Sequence, residues 1–234
     1  MPLPIVETPT YSFTLPDSKQ KIKYRPFRVK EEKVLLLASE SGDVNTIYQA
    51  VHDIVLSCTD GKLDIFKSTS IDSEYALIKL RASSVGETMK PELQCIHCEN
   101  SCSVNIKTDD LVIDDSMKKD NRIKVNESII IDLKFPSFAD ELRNSTMQDQ
   151  VDMVFDSVCC SIDKIYSDEE VFDAADYKRE DIEEFVNNLE SDIFTQILEF
   201  IKSKPRVKIP VKFVCPKCEK ENEFKIEGVD GFFV

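Results

Sequence analysis

Four cysteines form two pairs with the same short spacing. Cys95 and Cys98 lie in the segment LQCIHC, and Cys215 and Cys218 lie in FVCPKC, so two residues separate the members of each pair. Alternating apolar residues flank both pairs, which is typical of a strand–turn–strand hairpin that carries metal ligands at its tip. We expect the two pairs to meet around one structural zinc ion per chain. A site closed by four thiolates has no open coordination position, so we expect no catalysis there.

The distance between the pairs along the chain leaves alternatives open. Zinc ribbons with contiguous pairs separate them by about 15 to 20 residues, whereas here a long segment lies between Cys98 and Cys215. Cys102 and His97 are alternative ligands, although His97 stands between two ligands and should point away from their metal. A further alternative is that the cysteines are buried without metal. A redox role for CPKC is not expected, because the flanking residues predict strands and not a helix N-terminus.

The remaining reactive residue types do not form a recognisable catalytic motif. The 5 glycines are scattered, so no phosphate-binding loop is predicted, and only 2 histidines are present. An acidic segment without a nearby histidine suggests a metal-dependent hydrolase as an alternative, but we interpret it as a solvated connection. We assign no catalytic residue and expect no enzyme. The acidic residues of that segment are Asp168, Glu169, Glu170, Asp173 and Asp176.

Three further cysteines and one histidine are given structural roles. Cys58, Cys159 and Cys160 are expected to pack as small apolar groups. His52 follows Val51 on a predicted helix, and we expect it to be a half-exposed surface residue.

Charge and hydropathy exclude several classes of partner. The sequence contains 30 lysine and arginine residues against 44 aspartate and glutamate residues, a net charge of −14. A chain this acidic repels phosphate backbones, so we expect no nucleic acid partner. No apolar run approaches the roughly 18 to 20 residues that cross a bilayer, and MPLPIVETPTYSF lacks the features of a signal peptide. We therefore expect no membrane partner and a cytosolic protein whose 8 cysteines are thiols or metal ligands.

The predicted elements give an α+β fold, with helical N-terminal and C-terminal sections around a β-rich, zinc-ribbon-like section formed by the two distant CxxC knuckles. Prolines in the first section disfavour helix, and alternating β-branched residues mark the third. The predicted sections are an extended N-terminal arm (1–20), a helical section (21–90), a β-rich section with the first knuckle (91–136), a helical insertion (137–205), and the second knuckle hairpin with a C-terminal tail (206–234).

Periodic apolar residues and end signals predict the individual helices. In the first helical section we expect one helix from about Lys30 to Gly42, a second that Asp43 caps and that runs to Cys58, and a third from about Asp72 to Gly86. Three helices are predicted after Pro136. Their apolar faces are Val151, Val154, Phe155, Val158, Cys159, Ile162 and Ile165 in the first, Ile182, Phe185, Val186 and Leu189 in the second, and Ile193, Phe194, Ile197, Leu198 and Ile201 in the third.

Several phrases of the sequence resemble the baseplate protein family of T4-like tailed bacteriophages, along nearly the whole chain. They are KIKYRPFRVKEEKVLLLASES (21–41), LIKLRASSVGE (77–87), the LQCIHC knuckle, LKFPSF (133–138), IEEFVNNL (182–189), and VCPKCEKENEF with GFF (214–233). The resemblance implies a small acidic protein tied to assembly of the central hub of the baseplate, either as a hub subunit or as an assembly factor that leaves before the tail is finished. It implies action in the host cytoplasm, with the tail baseplate of the virion as the alternative location. The four paired cysteines correspond to paired cysteines of the family.

The same resemblance names the expected partners, which are other phage tail proteins, with the hub and the tape-measure protein first. The YRPFRVKEEK phrase is also similar to tail assembly chaperones, which hold the tape-measure protein. We expect partner contacts at Arg25, Pro26 and Phe27 and at the terminal Phe232 and Phe233; the alternative for the last two is packing in the protein's own core. An acidic surface with amphipathic helices favours a helical partner segment of basic or mixed charge. The sequence does not determine homo-oligomerisation.

Overall fold

A computed structural model describes residues 8–114, 119–168 and 170–227. The chain forms two compact units: unit 1 combines Met1–Asp114 with Arg206–Val234, and unit 2 is Asp115–Pro205. Helices and antiparallel strands occur in both units, so the fold is mixed α+β, as the sequence predicts. Within the described ranges, no helix has the length and apolar character needed to cross a membrane.

The elements are numbered here in chain order. The helices are α1 (Val29–Ser41), α2 (Val44–Cys58), α3 (Ser70–Val85), α4 (Phe138–Ser145), α5 (Gln150–Ser161), α6 (Arg179–Asn187) and α7 (Ser191–Lys202). The strands are β1 (Tyr11–Thr14), β2 (Lys21–Tyr24), β3 (Thr88–Met89), β4 (Glu92–Gln94), β5 (Ser101–Ser103), β6 (Ile106–Lys107), β7 (Val112–Asp114), β8 (Arg122–Lys124), β9 (Ile129–Leu133), β10 (Ile162–Ser167), β11 (Glu170–Asp173), β12 (Arg206–Val214) and β13 (Glu221–Glu227).

Unit 1 begins with a short antiparallel hairpin. Strands β1 and β2 pair with Phe13 opposite Ile22, and both side chains are buried. The buried carboxylate of Asp72, in the first turn of α3, accepts hydrogen bonds from the backbone N–H groups of Asp17 (2.8 Å) and Ser18 (3.0 Å), which fixes the hairpin turn to the helix. Part of the predicted extended arm is therefore a paired strand, because its alternating apolar residues reach the core. The first seven residues lie outside the described part.

The three helices within the described residues of unit 1 follow their sequence signals. Helix α1 ends at Gly42, whose φ of 66° is left-handed backbone that favours glycine. Asp43 caps α2 by accepting hydrogen bonds from the N–H groups of Asn45 and Thr46, and the apolar residues Val51, Ile54 and Val55 of α2 pack into the core. The predictions of α1, α2 and α3 are confirmed within a few residues at their ends.

The β-rich part of unit 1 contains both cysteine pairs. Strands β13, β12 and β7 form an antiparallel sheet in that order, so the chain segment after unit 2 pairs with the segment before it. Strands β4 and β5 form a separate hairpin with Leu93 opposite Cys102. Val207, Ile209 and Val211 alternate along β12 and bury their side chains against Met89 and neighbouring apolar residues.

In the part of unit 2 that the structure describes, four helices pack with a four-stranded antiparallel sheet of order β11–β10–β9–β8. Its core contains Ile131 from the sheet and Val158 and Ile197 from the helices. The rings of Phe135 and Phe200 stack with centroids 4.5 Å apart. Helices α6 and α7 form where they are predicted, but α6 ends at Asn187, so Leu189 of its predicted apolar face lies beyond the helix and packs against the same core.

The prediction for the helix that begins near Val151 is wrong at its C-terminal end. Helix α5 ends at Ser161, and Ile162 and Ile165 lie on β10, where Ile165 pairs with Ile131 of β9. The spacing of these isoleucines fits a helix. Pairing with β9, which is rich in β-branched isoleucine, instead provides hydrogen bonds for the backbone of β10 and buries Ile162. The acidic connection that follows contains strand β11, which pairs Phe172 with Ile165.

Candidate metal centre

Two equivalent hairpin turns position the cysteine pairs. After β4, the N–H of Cys95 donates to the carbonyl of Asn100 (2.9 Å), and the N–H of Glu99 donates to the carbonyl of Cys95 (2.9 Å). After β12, Cys215 donates to the carbonyl of Lys220 (3.0 Å), and Glu219 donates to the carbonyl of Cys215 (2.9 Å). The two CxxC turns therefore share one backbone design.

The turns bring the four thiols into one group, the cysteine cluster, which comprises Cys95, Cys98, Cys215 and Cys218. The Sγ atoms of Cys95 and Cys218 are 3.6 Å apart, and those of Cys98 and Cys215 are 3.7 Å apart. All four Sγ atoms lie within 4.8 Å of one another. Tetrahedral Zn–S bonds of about 2.3 Å place ligand sulfurs about 3.8 Å apart. The cluster can therefore hold a metal ion with little rearrangement.

Hydrogen bonds between the two hairpins support this geometry. The buried side chain of Asn222 accepts a hydrogen bond from the N–H of Ile96 (3.0 Å) and donates to the carbonyl of Lys220 (3.0 Å). The N–H of His97 lies 3.4 Å from the Sγ of Cys95. The outer shell of the cluster thus fixes the sulfur positions, as it does in metal sites generally.

The electrostatics of the thiols favour a bound cation. Backbone N–H groups, first that of Cys218, lower the pKa of Cys215 to about 6. For Cys98, the hydrogen bond from Asn100 lowers the pKa, but burial and the neighbouring thiols outweigh it and raise the pKa to about 12. Four neighbouring thiolates repel one another, so full ionisation of the cluster needs a cation at its centre.

The two alternative ligands occupy different positions. Cys102 is a buried fifth thiol with its Sγ 3.9 Å from that of Cys215, and burial raises its pKa. The Nε2 of His97 lies 3.2 Å from the carbonyl oxygen of Glu221, so this ring bridges the two hairpins through a backbone group. Among the residues that the structure describes, the cysteine cluster is the group of three or more His, Cys, Asp or Glu side chains with metal-binding geometry.

The residues expected to contact a partner have intramolecular contacts in unit 1. The guanidinium of Arg25 donates to Glu31 (2.9 Å) and Ser57 (2.9 Å), and the N–H of Phe27 donates to the Ser84 hydroxyl (2.9 Å). Pro26 is buried. A partner contact at these positions stays a prediction. Phe232 and Phe233 lie outside the described residues.

The histidine, the cysteines and the acidic segment that the sequence analysis places outside the metal site have structural surroundings of their own. His52 places its Nε2 3.0 Å from Asp64 and stacks on Phe66 with ring centroids 4.4 Å apart, an arrangement that fixes the middle of α2 to the loop after the helix. Cys58 and Cys159 are buried in apolar cores. The acidic segment runs from the turn after β10 through strand β11 into a short 3-10 helix, Ala174–Asp176; its Glu169 lies outside the described residues.

A polar cluster in unit 2 was not predicted from the sequence. Asp156 on α5 binds Arg143 of α4 (2.8 Å) and Arg179 of α6 (2.6 Å), and both guanidinium groups approach the Sγ of Cys160, at 3.1 and 3.3 Å. Burial and the nearby carboxylates, of which Asp140 is the first, raise the pKa of Cys160 to about 11 despite these cations. The thiol is therefore protonated at neutral pH, and we interpret the cluster as a structural link between three helices. The sequence feature that could have indicated this cluster is the i, i+4 spacing of Asp156 and Cys160, which places both side chains on one face of α5.

Comparison with known proteins gives a family match. The sequence matches the family described as T4 bacteriophage base plate protein over residues 8–234. No curated protein and no solved structure matches it.

Proposed function

The chain belongs to the T4 bacteriophage base plate protein family, and from this premise we propose that it acts in assembly of the central hub of the tail baseplate. In this role it is a non-enzymatic protein that binds other tail proteins. The family match carries the proposal, because it extends over residues 8–234 and so includes both compact units. A baseplate family implies a component of the virion tail; we propose the host cytoplasm as the place of assembly.

The chemistry of the described residues supports a binding role. A cluster of four thiolates around a metal has no free coordination position for a substrate. The cluster around Cys160 holds a protonated thiol whose neighbours, Arg143 and Arg179, are paired with Asp156. The thiolates of the first cluster would be occupied as metal ligands, and the thiol of the second is protonated, which favours protein binding over catalysis.

We propose that the metal is zinc and that its role is structural. Thiolate ligands in a tetrahedral arrangement suit Zn²⁺, and the sulfur separations of 3.6 and 3.7 Å fit its bond length. The ion would join the hairpin at Cys95 and Cys98 to the hairpin at Cys215 and Cys218. Unit 2 lies between these two segments in sequence. The ion would therefore link the two separate chain segments that form unit 1.

We propose the hub and the tape-measure protein as partners, through helical segments of basic or mixed charge. The net charge of −14 would speed the encounter with such a segment, and apolar helix faces would supply most of the affinity. Binding should therefore weaken as salt rises and yet persist.

Co-expression with each tail protein, followed by pull-down at low and high salt, tests this proposal. We expect one hub or tape-measure protein to be retained at both salt concentrations, more weakly at the higher one. Retention of none at low salt would contradict the assembly role. Complete loss at moderate salt would contradict the apolar contribution, since charge alone would then hold the complex.

Mass spectrometry of purified phage particles separates two forms of the role. Absence of the chain from particles indicates an assembly factor that leaves before completion. Presence in stoichiometric amount indicates the alternative, a zinc-containing structural subunit that is retained in the mature baseplate.

A further inference from the structure

Helix α1 exposes apolar side chains that a helix of a globular domain normally buries. Leu36 and Leu37 are 62% and 58% exposed, while Glu31 and Ala38 on the opposite face are buried and Leu35 packs on the core. Helix α2, by contrast, directs its apolar residues Val51, Ile54 and Val55 into the core. Adjacent exposed leucines on a regular helix are typical of an interaction surface.

The exposed leucines lie between two charges of opposite sign. Lys33, Leu36, Leu37 and Glu40 have the spacing i, i+3, i+4, i+7, which places them on one face of the helix. Lys33 and Glu40 are exposed, and neither forms an ion pair with another described residue. These four residues are called the α1 face below.

The order of residues on the α1 face is complementary to itself when reversed. Read from its N-terminus, the face is basic, apolar, apolar, acidic; read from the other end, it is acidic, apolar, apolar, basic. A two-fold axis midway between Leu36 and Leu37 therefore places Lys33 of one copy level with Glu40 of the other. The same axis places leucine against leucine. Interfaces with two-fold symmetry require this kind of self-complementary patch.

We propose that the α1 face binds a second copy of this chain, in antiparallel orientation, to form a weak homodimer. A parallel arrangement would place Lys33 against Lys33 and Glu40 against Glu40, so charge repulsion selects the antiparallel one. The leucines contribute the apolar burial and the two symmetric ion pairs set the orientation. This self-association goes beyond the hub binding proposed above and is independent of it.

Sedimentation equilibrium of the purified chain over a range of concentrations tests the proposal with charge reversals. The wild type should show a monomer–dimer equilibrium. Lys33→Glu and Glu40→Lys each replace two attractive pairs by two repulsive ones and should each raise the dissociation constant about tenfold. The double variant Lys33→Glu/Glu40→Lys restores opposite charges and should restore the dimer. Lys62→Glu, an exposed lysine after α2 with the same change in charge, should leave the dimer unchanged.

A mixing experiment separates a lost interface from a misfolded variant. In an equimolar mixture of Lys33→Glu and Glu40→Lys chains, the glutamate introduced into one chain faces the lysine introduced into the other. The native Glu40 of the first chain likewise faces the native Lys33 of the second, so mixed dimers should form where neither variant dimerises alone. A wild type that stays monomeric up to its solubility limit overturns the proposal. The proposal is also overturned if neither Lys33→Glu nor Glu40→Lys changes the dissociation constant of the dimer, or if the two variants do not associate when mixed.

Discussion

At the residue scale, Glu99 and Glu219 show how closely the two cysteine hairpins correspond. Both have left-handed backbone, with φ of 59° and 58°, and both follow the second cysteine of a pair. Each donates its N–H to the carbonyl of the first cysteine. A non-glycine residue in this region carries strain of roughly 1 kcal/mol or more. We interpret this strain as the cost of a turn that directs the Sγ atoms of both cysteines of a pair into the cysteine cluster.

Replacement of Cys215, in the cysteine cluster, should have a larger effect than replacement of the adjacent thiol of Cys102. Cys215→Ser removes one of four thiolates, and we expect loss of tightly bound zinc and a large fall in thermal stability. Cys102→Ser is the matched control, since Cys102 is buried 3.9 Å from Cys215 but lies outside the cysteine cluster. It should keep one zinc per chain. Measurements of zinc content and thermal stability of both variants test this prediction. If Cys102→Ser loses as much zinc as Cys215→Ser does, Cys102 is a ligand.

A buried ion pair near α1 predicts a specific pH dependence. Burial raises the pKa of Glu31, but hydrogen bonds from the Arg25 side chain and the Arg28 N–H outweigh it and bring the pKa to about 2. The ionised carboxylate therefore stabilises the fold above its ordinary pKa of 4.5, and this stabilisation disappears as pH falls towards 2. Glu31→Gln should lower the free energy of unfolding by about 2 kcal/mol at neutral pH.

Urea unfolding at a series of pH values tests this prediction. The difference between wild type and Glu31→Gln should shrink steadily from pH 5 to pH 2. A difference that stays constant across this range would show that the carboxylate charge does not stabilise the fold.

At the scale of elements, local signals predicted six of the seven described helices, missed the short helix α4, and failed where a strand depends on nonlocal pairing. Gly42 and Asp43 end α1 and cap α2 through contacts within a few residues, so the sequence suffices there. Ile162 and Ile165 fit a helical period, yet their conformation depends on β9, about 30 residues earlier in the chain. No local pattern contains that information.

In the candidate site, too, the features set by local sequence were predictable and those set by nonlocal contacts were not. The CxxC spacing predicted two ligand-bearing turns from local sequence alone. That the turns would meet was inferred from the chemistry of zinc, which needs four ligands. The bridging roles of Asn222 and His97 were not predictable, because each depends on the relative placement of the two hairpins. The Asp156–Cys160 cluster was missed for a similar reason, since its arginines come from two other helices.

The end of α1 gives a prediction about backbone conformation. Gly42 has a φ of 66°, and a Cβ added there would meet no atom within 4 Å, so substitution costs only backbone strain. Gly42→Ala should therefore lower the free energy of unfolding by about 1 kcal/mol, and Gly42→Asn by less, because asparagine tolerates this region. Thermal melts of both variants check the order. An alanine variant as stable as the wild type would contradict the expected strain.

At the scale of the whole molecule, unit 1 is built from two stretches of chain that enclose unit 2 in sequence. The pairing of β7 with β12 and the cysteine cluster both join these stretches. Zinc removal should therefore loosen unit 1 and leave unit 2 folded on its own core. We expect amide hydrogen exchange to rise after chelation in β4, β5, β12 and β13 and to change little in α5 and α7. Equal acceleration in both units would contradict this independence.

Native mass spectrometry of the chain, purified without chelator, tests the central claim most directly. That claim is that the cysteine cluster holds one structural zinc ion that completes unit 1. The account predicts a folded species whose mass exceeds that of the sequence by one zinc, and loss of this ion in Cys215→Ser. A fully folded wild-type chain without bound metal would contradict it, because the four thiols would then be buried packing groups.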